Sequence, residues 1–197
     1  MTMAVALSNP TDLLRARSGR IEIVNVAQQL IVAVDGVGLP PNEDFSTAIG
    51  ALYSVAYAAK FDAKARGLDA PKIQPLECVW DMGPANDAWH WRLFIGQLAP
   101  LDMRSLKRAI GLAGTKKPNA MLARLDVTRW KEGLCAQTLY IGAYDAMGEA
   151  HRALQDGVHS LGYRPSGMPH EIYISDPSRT APDKLKTIVR IPITQLT

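Results

Sequence analysis

Apolar and polar positions alternate through residues 21–36 (IEIVNVAQQLIVAVDG), a run rich in Ile and Val that closes on a glycine, so the pattern predicts extended chain there. Over residues 44–66 the period changes. Phe45, Ala48, Ile49, Leu52, Val55, Ala56, Ala59 and Ala63 recur at intervals of three and four, which puts them on one face of a helix. Pro40, Pro41 and Asn42 stand ahead of it, Lys60, Lys64 and Arg66 lie near its end, and Gly67 follows as a stop. Segments 72–81 (KIQPLECVWD) and 88–98 (AWHWRLFIGQL) read as two short strands joined by a turn holding Gly83, Pro84, Asn86 and Asp87.

A short helix over 102–113 follows, capped by Asp102 and closed by Gly114, with KKPN as a loop. The pattern then starts again. Residues 123–144 are extended. Residues 145–162 place Met147, Ala150, Leu154, Val158 and Leu161 on one helical face, and HEIYISDP and KLKTIVRIPI supply two more strands. In each half a helix ends at a glycine, Gly67 or Gly162, and a strand with one acid follows: Glu77 ten residues on, Glu171 nine residues on. The acids are then expected to be equivalent by a pseudo-twofold. The fold class predicted is α+β: a duplicated strand-helix-strand-strand module forming an antiparallel sheet, with two long helices on one side and a central ligand groove. The domain expected is one body over 1–197, its halves near 21–98 and 121–194 joined by a helical linker.

Composition narrows the function classes. A chain of 197 residues with 47% hydrophobic residues can bury a real core. Its 22 Lys and Arg are spread along the chain and nearly matched by 19 Asp and Glu, leaving a net charge of +3, so no nucleic-acid partner is expected. No apolar run approaches the roughly 20 residues that cross a bilayer, and MTMAVALSNP lacks the features of a secretory leader. No membrane partner and a cytoplasmic location are the expectations. Cys78 and Cys135 read as reduced core residues. His90, His151, His159 and His170 lack metal-ligand spacing, so no metal is expected. GVGLPP is not a phosphate loop, and there is no nucleophile motif, so no cofactor is expected either. The sequence carries no signal for an oligomeric state.

The acids and aromatics remain. Glu171 alternates with Tyr173, which puts the two on one face with His170 and Ile172 on the other; Glu77 shares its face with Val79, and Trp80 points the opposite way. A charged strand residue is more often solvated or half of an ion pair than functional. Trp80, Trp89, Trp91, Tyr53, Tyr57 and Tyr140 are, one by one, more often core than pocket. Together they are enough to wall a flat ligand, with Tyr53 and Tyr57 four apart on one helix flank.

Six ordered blocks, LYSVAYAAKF, QPLECVW, WHWRLFIGQ, EGLCAQTLYIGAYD, HEIYISDP and LKTIVRIP, resemble the stand-alone GyrI-like small-molecule-binding proteins over roughly residues 15–194. Asp81, Pro169 and Ala143 depart from that pattern, which often has an aromatic, a His and a Pro there. The resemblance implies a ligand pocket at the junction of the halves, and it raises both acids from solvated residues to functional ones. Some members are hydrolases that open the cyclopropane ring of DNA-alkylating antibiotics. Related regulators carry a DNA-binding helix-turn-helix, but this repeat begins by about residue 21 and none is expected. The hydrolase reading makes Glu77 or Glu171 the base and Tyr140 the hydroxyl donor, with Trp80, Tyr173, Tyr53, Tyr57, Trp89 and Trp91 against a planar aromatic substrate and no cofactor. The alternative is a pocket that sequesters planar or cationic compounds without chemistry.

Overall fold

Asn42 fixes where the longest helix begins. It takes extended backbone, φ −132° and ψ 164°, and its side chain accepts a hydrogen bond from the Phe45 backbone N–H at 2.7 Å, satisfying one amide of the first turn. Glu43 and Asp44 follow, where the positive end of the helix dipole favours acids. Helix α1 runs Glu43–Ala65 and buries Phe45, Ala48, Leu52, Val55, Ala56, Ala59 and Ala63. It ends because Gly67 takes φ +69°, and the N–H groups of Gly67 and Leu68 return to the carbonyls of Lys64 and Ala63.

The computed structural model describes residues 12–70, 72–81, 89–97 and 100–196, which gather into two compact units. The first is Gln29–Trp130. Its strands are β2 (Gln29–Val37), β3 (Leu76–Asp81), β4 (His90–Gln97) and β5 (Asp126–Trp130), antiparallel in the order β5-β2-β4-β3. Helix α2 (Met103–Lys116) packs beside α1, where the Arg108 guanidinium donates to Asp62.

The second unit joins the chain before residue 29 to the chain after residue 130. Its strands are β1 (Glu22–Val26), β6 (Gly133–Ile141), β8 (His170–Tyr173) and β9 (Lys186–Gln195), antiparallel in the order β1-β6-β9-β8, with a short β7 (Tyr163–Pro165) also on β9. Helix α3 is Met147–Ser160. Each unit is therefore α+β, with a flanking strand, a long strand, a last strand and an acid-bearing strand in the same order. The duplication read from the sequence is present in the topology.

Four boundaries differ from expectation. The extended run 21–36 is two strands, β1 and β2, that belong to different units, and 123–144 likewise divides into β5 and β6 after a 3-10 turn at Ala120–Arg124. Alternation identifies extended chain, whereas its partner is fixed by distant contacts. Each unit thus takes its flanking strand from the other stretch of sequence. Residues 72–75 are not strand; Pro75 has no N–H for a ladder, and β3 starts at Leu76. Helix α2 runs through Gly114 and stops at Lys117, whose extended backbone (φ −147°, ψ 106°) is the conformation required before Pro118. The turn with Gly83, Pro84, Asn86 and Asp87, and the start MTMAVALSNP, lie outside the described residues. Among the described residues no helix is long and apolar enough to cross a membrane.

Candidate functional site

In the unit built from β1 and β6–β9, one face of the sheet lies under α3. Ala136, Val189, Ile191 and Ile193 from the strands pack against Met147, Leu154 and Val158 from the helix. Register puts Glu171 opposite Val189 and Tyr173 opposite Thr187, so both side chains point to this helix-covered face, while His170 and Ile172 point away. Glu171 is only 8% exposed, yet both of its oxygens are met. His151, on the buried stripe of α3, brings Nε2 to 2.9 Å from Glu171 Oε1, and the Tyr173 hydroxyl donates to Oε2 at 2.7 Å. A buried carboxyl without such partners would be strongly unfavourable. When Glu171 is ionised, His151 carries its hydrogen on Nε2 and both bonds run toward the acid.

Tyrosines surround this group. Across the sheet, Tyr140 of β6, Thr187 of β9 and Tyr173 of β8 are direct neighbours in one register line on the same face. The Tyr140 hydroxyl donates to the Ala143 carbonyl at 2.9 Å. Burial, followed by the negative charges of Asp145 and Glu149, raises its pKa above the usual phenol value and holds the proton on the oxygen. Tyr144 meets Tyr173 edge-on, with ring centres 5.6 Å apart, and is itself exposed. Thr187 is fully buried, and its hydroxyl has no hydrogen-bonding partner among the described residues. The arrangement is a buried acid held by an imidazole and a phenol beside a row of hydroxyls.

The opposite face of the same sheet carries a buried ionic row. Gln137, Arg190 and His170 are consecutive register neighbours. Arg190 donates to Gln137 Oε1 at 3.0 and 2.8 Å, to the Leu13 carbonyl at 2.8 Å and to Glu132 at 3.3 Å, and His170 Nδ1 lies 3.0 Å from Glu132. Desolvation pushes the Glu132 pKa up, but the charges and hydrogen bonds of His170 and Arg190 outweigh it and hold the carboxyl below its ordinary value. Through the bond from Arg190 to the Leu13 carbonyl, this row is a structural tie for the segment around Leu13.

In the unit Gln29–Trp130, Glu77 is also buried, but its register partner is Phe94, and that face holds the cluster Ile31, Ala33, Val79, Phe94 and Trp130. Trp80 and Trp91, paired across β3 and β4, are on the other face, beneath α1. Phe45 stacks on Trp80 at 5.7 Å and meets Trp91 edge-on at 5.2 Å. Trp91 lies across Gly36, where a Cβ would collide with the indole. Trp89 sits 5.8 Å from Trp80, Tyr53 is half-buried on α1, and Tyr57 is exposed and stacked on Phe61.

The two acids therefore differ. Glu171 faces the helix of its unit, whereas Glu77 faces away from the helix of its own. By position in the sheet the counterpart of Glu77 is His170, one residue before Glu171. The offset follows from the spacings after the glycines, ten residues against nine, because a shift of one residue in a strand reverses every side chain. Glu171, Tyr173 and Tyr140 are brought into one unit and one face; Glu77, Trp80, Trp89, Trp91, Tyr53 and Tyr57 lie in the other unit. Sequence reasoning missed His151 and Thr187. His151 falls at i+4 from Met147 and i−3 from Leu154, on the apolar stripe, and that spacing was the available signal.

The model of the GyrI-like small molecule binding domain matches residues 20–194. A hydrolase encoded by lin2189 from Listeria innocua is 27% identical, with a TM-score of 0.83, covering 94% of this chain and 96% of that one. Another structure described as a hydrolase from Listeria innocua is 28% identical, with a TM-score of 0.81 over 93% of this chain and 96% of that one. The C-terminal domain of EcmrR, 11% identical with a TM-score of 0.57 over 90% and 98% of the two chains, shares the fold. No curated protein matches the chain.

Proposed function

We propose that this chain, which belongs to the GyrI-like small-molecule-binding family, is a cofactor-free hydrolase that opens the cyclopropane ring of planar, carbonyl-conjugated DNA-alkylating compounds by adding water. The observation that carries this reading is the buried Glu171 with His151 and Tyr173 on its two oxygens. The similarity to two Listeria proteins described as hydrolases, over nearly the full length of both chains, supports it.

Glu171 takes a proton from water as the water oxygen bonds to a strained ring carbon. The ring C–C bond breaks, and its electron pair moves through the conjugated system to the carbonyl oxygen, which takes a proton from a hydroxyl donor. The product is substrate plus one water. A base in this role needs a fixed orientation within reach of the water, which the two hydrogen bonds supply. Tyr140, whose hydroxyl rests on the Ala143 carbonyl at 2.9 Å, is the donor of that proton, and the proton taken up by Glu171 returns to it through solvent after the ring has opened. Tyr173 and Tyr144 are walls for the flat ring system, and Trp80, Trp89, Trp91, Tyr53 and Tyr57 are the aromatic candidates of the other unit, where Glu77 is the second candidate acid.

Capture without chemistry is the second reading. It is favoured by the same two hydrogen bonds, which give each oxygen of Glu171 a partner before any ligand binds. Incubating a small amount of protein with excess cyclopropane-bearing alkylating agent, followed by mass spectrometry, separates the readings. Water adduct in many-fold excess over protein supports the hydrolase. Protection equal to the amount of protein supports capture, and neither effect removes both.

A further inference from the structure

The hydroxyls in the Tyr140–Thr187–Tyr173 line are not equivalent. Tyr140 already donates to the Ala143 carbonyl and Tyr173 to Glu171, so both have partners inside the protein before a ligand binds. Thr187 sits between them, 0% exposed, with its hydroxyl making no hydrogen bond among the described residues. A buried hydroxyl without a partner is unfavourable, and such groups in native structures call for a reason. Val would occupy the same volume in a β-strand without that penalty.

We infer that the Thr187 hydroxyl is the donor that meets the ligand, a specificity-determining contact that selects compounds presenting a carbonyl oxygen between the rings of Tyr140 and Tyr173. This rests on the hydrolase or capture reading of the Glu171 site and sharpens it: the carbonyl oxygen accepts a hydrogen bond from Thr187 on binding and as charge develops, while the Tyr140 proton reaches it only after that hydroxyl leaves the Ala143 carbonyl. Tyr144, exposed and edge-on to Tyr173, forms the outer wall of the row. A ligand without an acceptor oxygen at this place leaves the hydroxyl unmet.

The test compares wild type, Thr187→Val and Thr187→Ser in two measurements. Urea unfolding without ligand asks whether the hydroxyl serves the fold; Thr187→Val is expected to unfold at the same or a higher urea concentration, and a clear fall overturns the inference by showing that the hydroxyl is bonded within the protein. Turnover or binding of a carbonyl-conjugated cyclopropane agent asks whether it serves the ligand. Thr187→Val is expected to lose about a hundredfold in kcat with KM nearly unchanged if there is turnover, or about tenfold in affinity if there is only capture, and Thr187→Ser restores most of the loss. Full activity or affinity in Thr187→Val overturns the inference while leaving the function reading intact. If wild type neither turns over nor binds the agent, the function reading fails, and the assignment of Thr187 to a carbonyl ligand fails with it.

Discussion

Glu171 and His151 are twenty residues apart in the chain yet meet Oε1 to Nε2 at 2.9 Å, both nearly shut off from solvent. A strand and a helix each bring one ionisable side chain to a face whose core is Ala136, Met147, Leu154, Val158, Val189, Ile191 and Ile193. Replacing His151 by Ala leaves one oxygen of a buried acid without its partner, and the expected loss of stability is about 1–3 kcal/mol. Urea unfolding reads it. If Glu171 is the base, His151→Ala also lowers kcat more than it raises KM, because the acid loses its orientation rather than the ligand its contacts.

The ionic row on the other face makes the second unit sensitive to acid. The Glu132 carboxyl is held below its ordinary value by His170 and Arg190. A folded-state pKa below the unfolded one contributes stability that is complete above the unfolded value, 4.5 for Glu, and is lost as pH falls through the lower, folded value. Unfolding midpoints are therefore expected to fall steeply below about pH 4.5 in wild type, with a shallower slope in Glu132→Gln. At neutral pH that variant leaves Arg190 and His170 buried without their acid and is expected to be roughly 3–5 kcal/mol less stable. Equal acid slopes in the two proteins would remove Glu132 from this role.

Gly36 is required by contact rather than by backbone angle, since the Trp91 indole fills the space of its absent side chain. Gly36→Ala is expected to displace Trp91 from Phe45 and to destabilise by about 1–3 kcal/mol, as overpacking does. Changed tryptophan fluorescence together with a lower unfolding midpoint checks it.

Cys135 is fully buried, and burial, with Glu132 adding to it, pushes its thiol far above the usual range. A thiol-specific chromogenic reagent at pH 8 is expected to leave Cys135 unmodified in the native protein and to label it at once in urea, as mass mapping of the peptide would show.

How much was legible in the sequence depends on whether the signal was local. Helix α1 was legible because its cap at Asn42, its apolar stripe and Gly67 are all short-range features. The faces of β3 and β8 were legible from alternation, and Glu171 with Tyr173 opposite His170 and Ile172 is what the register shows. The division of 21–36 between two units was not legible, because β1 chooses β6 and β2 chooses β4 through contacts about fifty to over a hundred residues away, none written in the strand itself. The equivalence of the acids failed for a related reason: counting from the glycines could not fix facing to a single residue. Arg190 stands in the apolar strand KTIVRIPITQ, a sign of a buried ion pair, but its partner Glu132 lies in the run 123–144, read only as extended chain, and nothing local marks it.

The most direct test of the central claim, that Glu171 is the base, is the turnover of a carbonyl-conjugated cyclopropane agent by wild type, Glu171→Gln and Glu77→Gln, followed by mass spectrometry of the water adduct. Glu171→Gln is expected to lose roughly two to four decades of rate, the range of a positioned base, while it still binds the agent and unfolds cooperatively, and Glu77→Gln is expected to keep most of its rate. Full turnover in Glu171→Gln, or the same loss from Glu77→Gln alone, would contradict the claim.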